Sequence, residues 1–349
     1  MSELYGNRWE LIKSLDEGGQ AHVFLVKDAK NQGDRMFVLK RLKNLNRLDR
    51  FKKEIEIVRH LQDDHVVKIF DFKAEGEKPY FVTSYYEGGN LKDARNRWKE
   101  NPLIALGLFK TICETINNLH RMEPPIIHRD LKPENIFLRS KDKLDPVIGD
   151  FGVCYFENGQ RITLIEEAVG PRLFMAPELE DGREDKVTPK ADVYSLGKLL
   201  YWMLRDDGQL FSREKHRLRE WDLRKAKDLP SGGYDWENIY FEHVSRILDQ
   251  MITTAPDERA SLNQILPQLS RAIRLIEREF TPITQDAAMP CEFCGQGEYV
   301  LTEKGTHVED FGFRAIGSPN WRILVCNICG HVQLFRVEKA AHKDWWGEK

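Results

Sequence analysis

Four polar residues near the middle of the chain could do chemistry together. Asp130, Lys132 and Asn135 fall within six positions, and Asp150 lies fifteen residues further on. A carboxylate such as Asp130 can face an attacking hydroxyl and take its proton. An ammonium two residues away can neutralise negative charge on a group in transit. The Asp150 carboxylate and the Asn135 amide carbonyl are hard oxygen donors of the kind Mg2+ selects. A lone aspartate at any of these places would be read as a solvated turn residue; the combination is what carries the chemistry. A second set lies near the C-terminus: Cys291, Cys294, Cys326 and Cys329 form two C-x-x-C-G knuckles with 31 residues between them. Two intervening residues let both thiolates of a pair reach one ion. The Gly that follows permits the turn. Four thiolates suit a closed, tetrahedral Zn2+ site. One pair alone could be a redox dithiol, but two pairs favour metal.

The elements that must position these residues are legible as patterns. Trp9, Leu11 and Leu15, then Val23-Phe24-Leu25-Val26, read as two strands around Glu17-Gly18-Gly19-Gln20, and Phe37-Val38-Leu39-Lys40 reads as a third. Phe51, Ile55, Val58 and Leu61 share one face of a helix over 49–62. Strand-like runs return at Val66–Phe70 and Tyr80–Thr83. After Glu87-Gly88-Gly89 the texture turns helical. Asn101 caps and Pro102 opens a helix whose apolar face is Phe109, Ile112, Cys113, Ile116 and Leu119. Thr188-Pro189 repeats the start signal before Val193, Leu196, Leu200, Met203 and Leu204. Leu269, Ile273, Ile276 and Phe280 predict a last helix, with Pro267 as a break or first turn just ahead of it. Residues 281–290, with two prolines and no period, read as a linker. Short strands follow at Tyr299–Leu301, Phe311–Phe313 and Arg322–Val325.

Composition sets the bounds. The 349 residues are 41% apolar and 31% charged, enough for a sizeable core and inconsistent with a wholly disordered chain. The net charge of −3 is unlike that of a dedicated nucleic-acid binder. The start of the chain has no basic and apolar leader pattern, so no secretory signal is expected. The best uncharged apolar stretch, Leu103–Phe109, is seven residues, where a membrane span needs about 20. A cytoplasmic globular protein with no membrane partner is the expectation.

In order along the chain, Ile127-His128-Arg129-Asp130-Leu131-Lys132-Pro133-Glu134-Asn135, Asp150-Phe151-Gly152 and Met175-Ala176-Pro177-Glu178 closely resemble the catalytic loop, metal-binding loop and activation-segment end of eukaryotic-type serine/threonine protein kinases. The resemblance covers about residues 9–280. It implies an α+β, two-lobed kinase fold: an N-lobe of antiparallel sheet plus one helix over 1–85 and a mainly helical C-lobe over 86–280. A linker over 281–290 and a small four-cysteine zinc ribbon over 291–349 follow. It implies ATP, Mg2+ and a protein Ser/Thr substrate, with Asp130 as base, Lys132 on the transferred phosphoryl group, and Asn135 and Asp150 on the metal. Lys40 resembles the third-strand lysine that meets the ATP phosphates, and Glu54 its helix partner. Glu56, two residues on, turns to another face.

The nucleotide slot is implied in the same way. Leu15, Gly18, Gly19, Ala21 and Val23 match the phosphate-covering loop and its flanks, Val38 and Phe137 the adenine sandwich, Thr83 the gatekeeper, and Ser84 and Tyr86 the hinge. The loop departs from the family at Asp16 and Ala21, where glycines are usual. Asp192 resembles the helix aspartate that braces the catalytic loop, Arg259 the partner of Glu178, and Val58, Ile69, His128 and Phe151 the stacked column of the active arrangement. Arg129 resembles the arginine that receives a phosphorylated activation-segment residue. Thr163 is the autophosphorylation candidate, with Glu166 or Glu167 as a built-in anion instead. Gly170-Pro171 departs from the usual Gly-Thr, which bears on substrate docking. Lys132, Arg129 and Ala176-Pro177-Glu178 favour a protein Ser/Thr substrate over a small molecule. A kinase-fold, ATP-binding scaffold with weak or no catalysis is the alternative.

Residues 281–349 carry seven Lys/Arg and nine Asp/Glu, a net of −2 that disfavours nucleic acid as the ribbon's partner and leaves a protein partner or packing on the host domain. His331 is a bystander to the four thiolates. Cys113 is a core residue, and Cys154 a candidate modifiable thiol.

Overall fold

The computed structural model describes residues 4–16, 21–31, 33–98, 101–152, 155–156, 173–180, 187–205, 239–280, 289–290, 298–301, 321–326, 328–329 and 332–336. The chain divides into two units, Met1–Ile273 and Arg274–Lys349.

The first unit begins with a six-stranded antiparallel sheet in the order β1-β2-β3-β4-β6-β5. Its strands are β1 (Leu4–Tyr5), β2 (Trp9–Asp16), β3 (Ala21–Asp28), β4 (Met36–Leu42), β5 (Ile69–Lys73) and β6 (Tyr80–Ser84). Side chains alternate between the faces of a strand, so each face has its own core. Trp9, Val26, Phe37, Leu39 and Val82 cluster on one face with Tyr5 and Tyr80. Trp9 is fully buried and satisfies its ring N–H on Asp71 Oδ2 at 2.5 Å. Helix α1 (Leu48–His60) closes the other face: its Phe51 and Ile55 cluster with Phe81 and Leu42.

The expected strand over Val66–Phe70 forms only from Ile69. Val66 instead makes an isolated parallel bridge to Ile148, and Val67 N donates to Ile148 O at 2.9 Å. These backbone groups are spent on the helical half before the sheet begins.

Helix α2 (Pro102–His120) starts as its sequence dictates. Asn101 Oδ1 accepts from Leu103 N and Ile104 N, and Pro102 occupies the first turn, where its missing N–H costs nothing. Two short antiparallel pairs follow: β8 (Ile136–Leu138) with β9 (Pro146–Ile148), a hairpin, and β7 (Ile126–Ile127) with β10 (Tyr155–Phe156), which brackets it in sequence. Helix α3 (Pro177–Glu180) precedes α4 (Lys190–Leu204), in which every residue after Lys190 is buried. A helix buried on all sides is one that others surround, and α2 and α5 (Ile239–Met251) both pack on α4. Gly197 permits the close crossing, because a Cβ there would meet Met251 Cβ at 2.8 Å.

Helix α6 (Leu262–Phe280) corrects one expectation: Pro267 lies inside it and does not open it. Proline removes one helical N–H but does not stop a helix whose buried face is otherwise continuous. Leu262, Ile265, Leu269, Ala272 and Ile276 supply that face.

The second unit contains a four-stranded antiparallel sheet in the order β11-β12-β13-β14: β11 (Met289–Pro290), β12 (Glu298–Leu301), β13 (Trp321–Cys326) and β14 (Val332–Arg336). It takes in Met289–Pro290, the end of the segment read as a linker. Pairing of Pro290 with Glu298 accounts for this, since an edge strand tolerates the missing N–H. Phe311–Phe313 lies outside the described residues. No helix among the described residues is long and apolar enough to cross a membrane.

Candidate active site

Lys40 sits near the end of β4, with Val23 opposite it on β3 and Phe81 opposite it on β6. One row along the same face, Leu25, Val38 and Thr83 lie side by side. This face therefore presents an ammonium beside a strip of apolar side chains. Lys40 Nζ lies 3.0 Å from Glu54 Oε1 on α1 and 2.9 Å from Asp150 Oδ1. Burial alone would lower the Lys40 pKa, but Asp150 and Glu54 outweigh it and hold the ammonium above its usual range. Lys40 in turn draws Asp150 down to about 2. Burial pushes Glu54 up, against the pull of Lys40. Two of the three Lys40 donors are used here, leaving one for a ligand oxygen.

Asp130 forms a second cluster. Its Oδ2 accepts from Lys132 Nζ at 2.7 Å and from Asn135 Nδ2 at 2.9 Å. Asn135 Nδ2 also donates to the Asp130 carbonyl at 2.7 Å. Both amide hydrogens of Asn135 are thus spent, and its carbonyl oxygen is the atom left to ligate. Among the described residues no hydrogen bond reaches Asp130 Oδ1, which is left to accept a proton.

The backbone that carries these groups is strained and braced. Arg129 and Asp150 have φ of 68° and 61°, a left-handed conformation that costs a non-glycine residue roughly 1–2 kcal/mol. Asp192, fully buried in the first turn of α4, accepts from His128 N and Arg129 N, each at 2.8 Å, and from His120 Nε2 at 2.9 Å. Burial would raise its pKa, but His120, His128 and the Arg129 N–H outweigh that and hold the carboxyl below its usual range. His128 Nδ1 accepts from Asp130 N at 3.3 Å, so its Nε2 donates to Gly149 O at 3.0 Å. The His128 ring packs on Phe151 with centroids 4.8 Å apart, and both are buried. Of the other two column residues, Val58 is buried and Ile69 packs partly against the α1 cluster. Glu178 on α3 pairs with Arg259 through two hydrogen bonds, of 2.5 and 2.8 Å.

The slot residues are spread over five strands. Leu15 is exposed near the end of β2, Ala21 is buried at the start of β3, and Tyr86 stacks on Phe137 of β8 at 5.8 Å. Ser84 Oγ accepts from Arg35 at 3.0 Å. Gly18, Gly19, Thr163, Glu166, Glu167, Pro171, Cys154, Cys291, Cys294 and His331 lie outside the described residues. In the second unit Cys326 is buried and Cys329 exposed.

Two residues that sequence reading passed over belong to the site. His120 closes the Asp192 cradle from the last position of α2. Arg50 on α1 donates through Nε to the Gly152 carbonyl. Arg50 lies one helical turn before Glu54, and that spacing was the signal available for it.

The arrangement offers oxygens at Asp150 and Asn135 of the kind a divalent cation takes, an ammonium at Lys40 of the kind a phosphate takes, and a carboxylate at Asp130 of the kind that takes a proton. The protein kinase domain family matches residues 9–269. Serine/threonine-protein kinase D of Synechocystis sp. is 27% identical over 340 residues, 90% of this chain and 61% of that protein. CBL-interacting serine/threonine-protein kinase 20 of Arabidopsis thaliana is 27% identical over 263 residues, covering 74% and 57%. Ovarian-specific serine/threonine-protein kinase Lok of Drosophila melanogaster is 28% identical over 258 residues, covering 70% and 52%. The chain thus spans 52% to 61% of the length of these relatives.

Proposed function

The chain belongs to the protein kinase domain family, and from that premise we propose that it transfers the γ-phosphate of ATP to serine and threonine hydroxyls of proteins. The observation that carries this reading is the pair of clusters: Lys40 bridging Glu54 and Asp150, and Asp130 held by Lys132 and Asn135 with one carboxylate oxygen left over. Phosphoryl transfer asks mainly for positioning and charge neutralisation. Lys40 orients the phosphates and is itself fixed by Glu54. Asp150 and the Asn135 carbonyl oxygen fit Mg2+, which when bound neutralises charge on the phosphates. Asp130 Oδ1 receives the proton of the acceptor hydroxyl, and Lys132 stands beside the group in transit. Val23, Val38, Thr83 and Phe137 make the apolar slot for the base, with Ser84 and Tyr86 at its hinge edge. Lys132, two residues after Asp130, is the serine/threonine arrangement. Thr163 is the proposed autophosphorylation site.

The test is transfer from labelled ATP to a generic basic protein, followed by phosphoamino-acid analysis. Phosphoserine and phosphothreonine are expected. Phosphotyrosine would overturn the acceptor assignment, and tight ATP binding without transfer would favour the scaffold reading.

A zinc ribbon for targeting or regulation belongs to the same proposal. Met289 pairs with Tyr299, and Tyr299 with Cys326, so Met289 of β11 and Cys326 of β13 share one row across the sheet, and Cys291 is two residues from Met289 in sequence. Ile328 N and Cys329 N both donate to Cys326 Sγ at 3.4 Å. These features support a site of Cys291, Cys294, Cys326 and Cys329 holding one Zn2+.

A further inference from the structure

We propose that Arg50 is a positioning residue that ties helix α1 to the loop bearing Asp150, so that the helix holds this loop by its main chain as well as by its metal-binding side chain. The inference rests on the kinase reading for what the loop does, but on geometry alone for the tie itself.

Arg50 and Glu54 stand at i and i+4 on α1 and so share a face. From that face Glu54 reaches Lys40, and Lys40 reaches Asp150 Oδ1. Arg50 reaches past them and donates Nε–H to the carbonyl of Gly152, two residues beyond Asp150. Together with the packing of Phe151 on His128, the tripeptide Asp150-Phe151-Gly152 is gripped at each of its three residues. The middle grip belongs to the helical half, and the outer two lead back to α1.

The loop runs close to the helix face: a Cβ on Gly152 would lie 3.1 Å from Glu54 Oε2, tighter than most such contacts. The tie also opposes a specific cost. Asp150 is held at φ 61°, and a chain in that conformation relaxes unless both flanks are fixed. Burial lowers the Arg50 pKa from its usual value, against the pull of Asp150 and Glu54. The other face of α1 is fixed to the sheet by Phe51 and Ile55. A shift of the helix would thus be transmitted to Gly152 through Arg50, and a shift of Gly152 to the helix.

Three full-length proteins test this: wild type, Arg50→Ala and Arg50→Lys. Hydrogen exchange without nucleotide reads the tie directly. In Arg50→Ala the amides of α1 and of residues 150–152 should exchange roughly tenfold faster, while those of α2 and α4 keep their wild-type rates. In the transfer assay the same variant should need more Mg2+ for half-maximal rate and lose about ten- to a hundredfold in kcat, with KM for the protein acceptor within about twofold. Arg50→Lys keeps a charged donor and should recover part of both losses. Wild-type exchange in α1 and an unchanged Mg2+ requirement in Arg50→Ala would overturn the proposal. So would faster exchange spread evenly over the whole domain, which marks general destabilisation. If Arg50→Ala does not fold, Arg50→Lys decides by the same readouts: wild-type exchange confined to α2 and α4 supports the tie, and uniform change refutes it. A wild-type protein that transfers no phosphate would sink the kinase reading while leaving the exchange result to judge the tie.

Discussion

Asp192 touches no reactant, yet it sets where the reacting groups stand. Its carboxylate accepts three hydrogen bonds in a fully buried place, two of them from the backbone of His128 and Arg129. Asp192→Asn keeps the shape but turns an N–H2 toward donors, and should cost roughly 3 kcal/mol of stability at neutral pH. The sign of its pH dependence follows from the lowered pKa. A depressed carboxyl contributes stability above its unfolded value, here 3.8, and that stability is lost as pH falls through the folded value. The gap between wild type and Asp192→Asn should therefore be constant at neutral pH and close below about pH 3.8; urea unfolding at several pH values measures it, and a gap that grows on acidification would contradict the account. At this scale, what lies close in sequence was legible. Asp130, Lys132 and Asn135 sit on one short loop, so their spacing nearly determines their contacts. Arg50 with Gly152, and His120 with Asp192, are 102 and 72 residues apart, and only the packing of distant elements joins them.

Periodicity located the helices and strands that one face of burial decides. Helix α1 was visible because Phe51, Ile55 and Val58 recur at helical spacing and do face the core. Helix α2 was visible from its cap. Pro267 misled because local propensity argued for a boundary while the buried stripe of α6 ran through it. The mismatch gives a prediction. Pro267→Ala restores the missing N–H, which should bond to the carbonyl four residues back at Asn263, and should raise stability by roughly 1–3 kcal/mol. Urea unfolding of the two proteins reads this directly; a variant no more stable than wild type would show that the helix already compensates for the proline. Strand β14 was passed over because what makes Val332–Arg336 a strand is its pairing with β13.

The whole chain combines two units. The first buries large side chains such as Trp9, Trp98 and Phe109. The second is small, and a small domain can draw much of its folding energy from a bound metal. The two C-x-x-C pairs proposed as a zinc site would supply it. Protein grown with zinc should carry one Zn2+ per chain, and Co2+ in its place should show the absorption of tetrahedral thiolate ligation. Cys326→Ser should lower the metal content, and wild-type protein with no bound metal would contradict the site. The central claim stands or falls on phosphoryl transfer. Wild type and Asp130→Ala should be compared under single turnover with labelled ATP, Mg2+ and a protein acceptor, with nucleotide affinity measured alongside. The account predicts transfer to serine or threonine by wild type, and a loss of about a hundredfold or more in Asp130→Ala with ATP affinity nearly unchanged. Equal transfer by both proteins would contradict it.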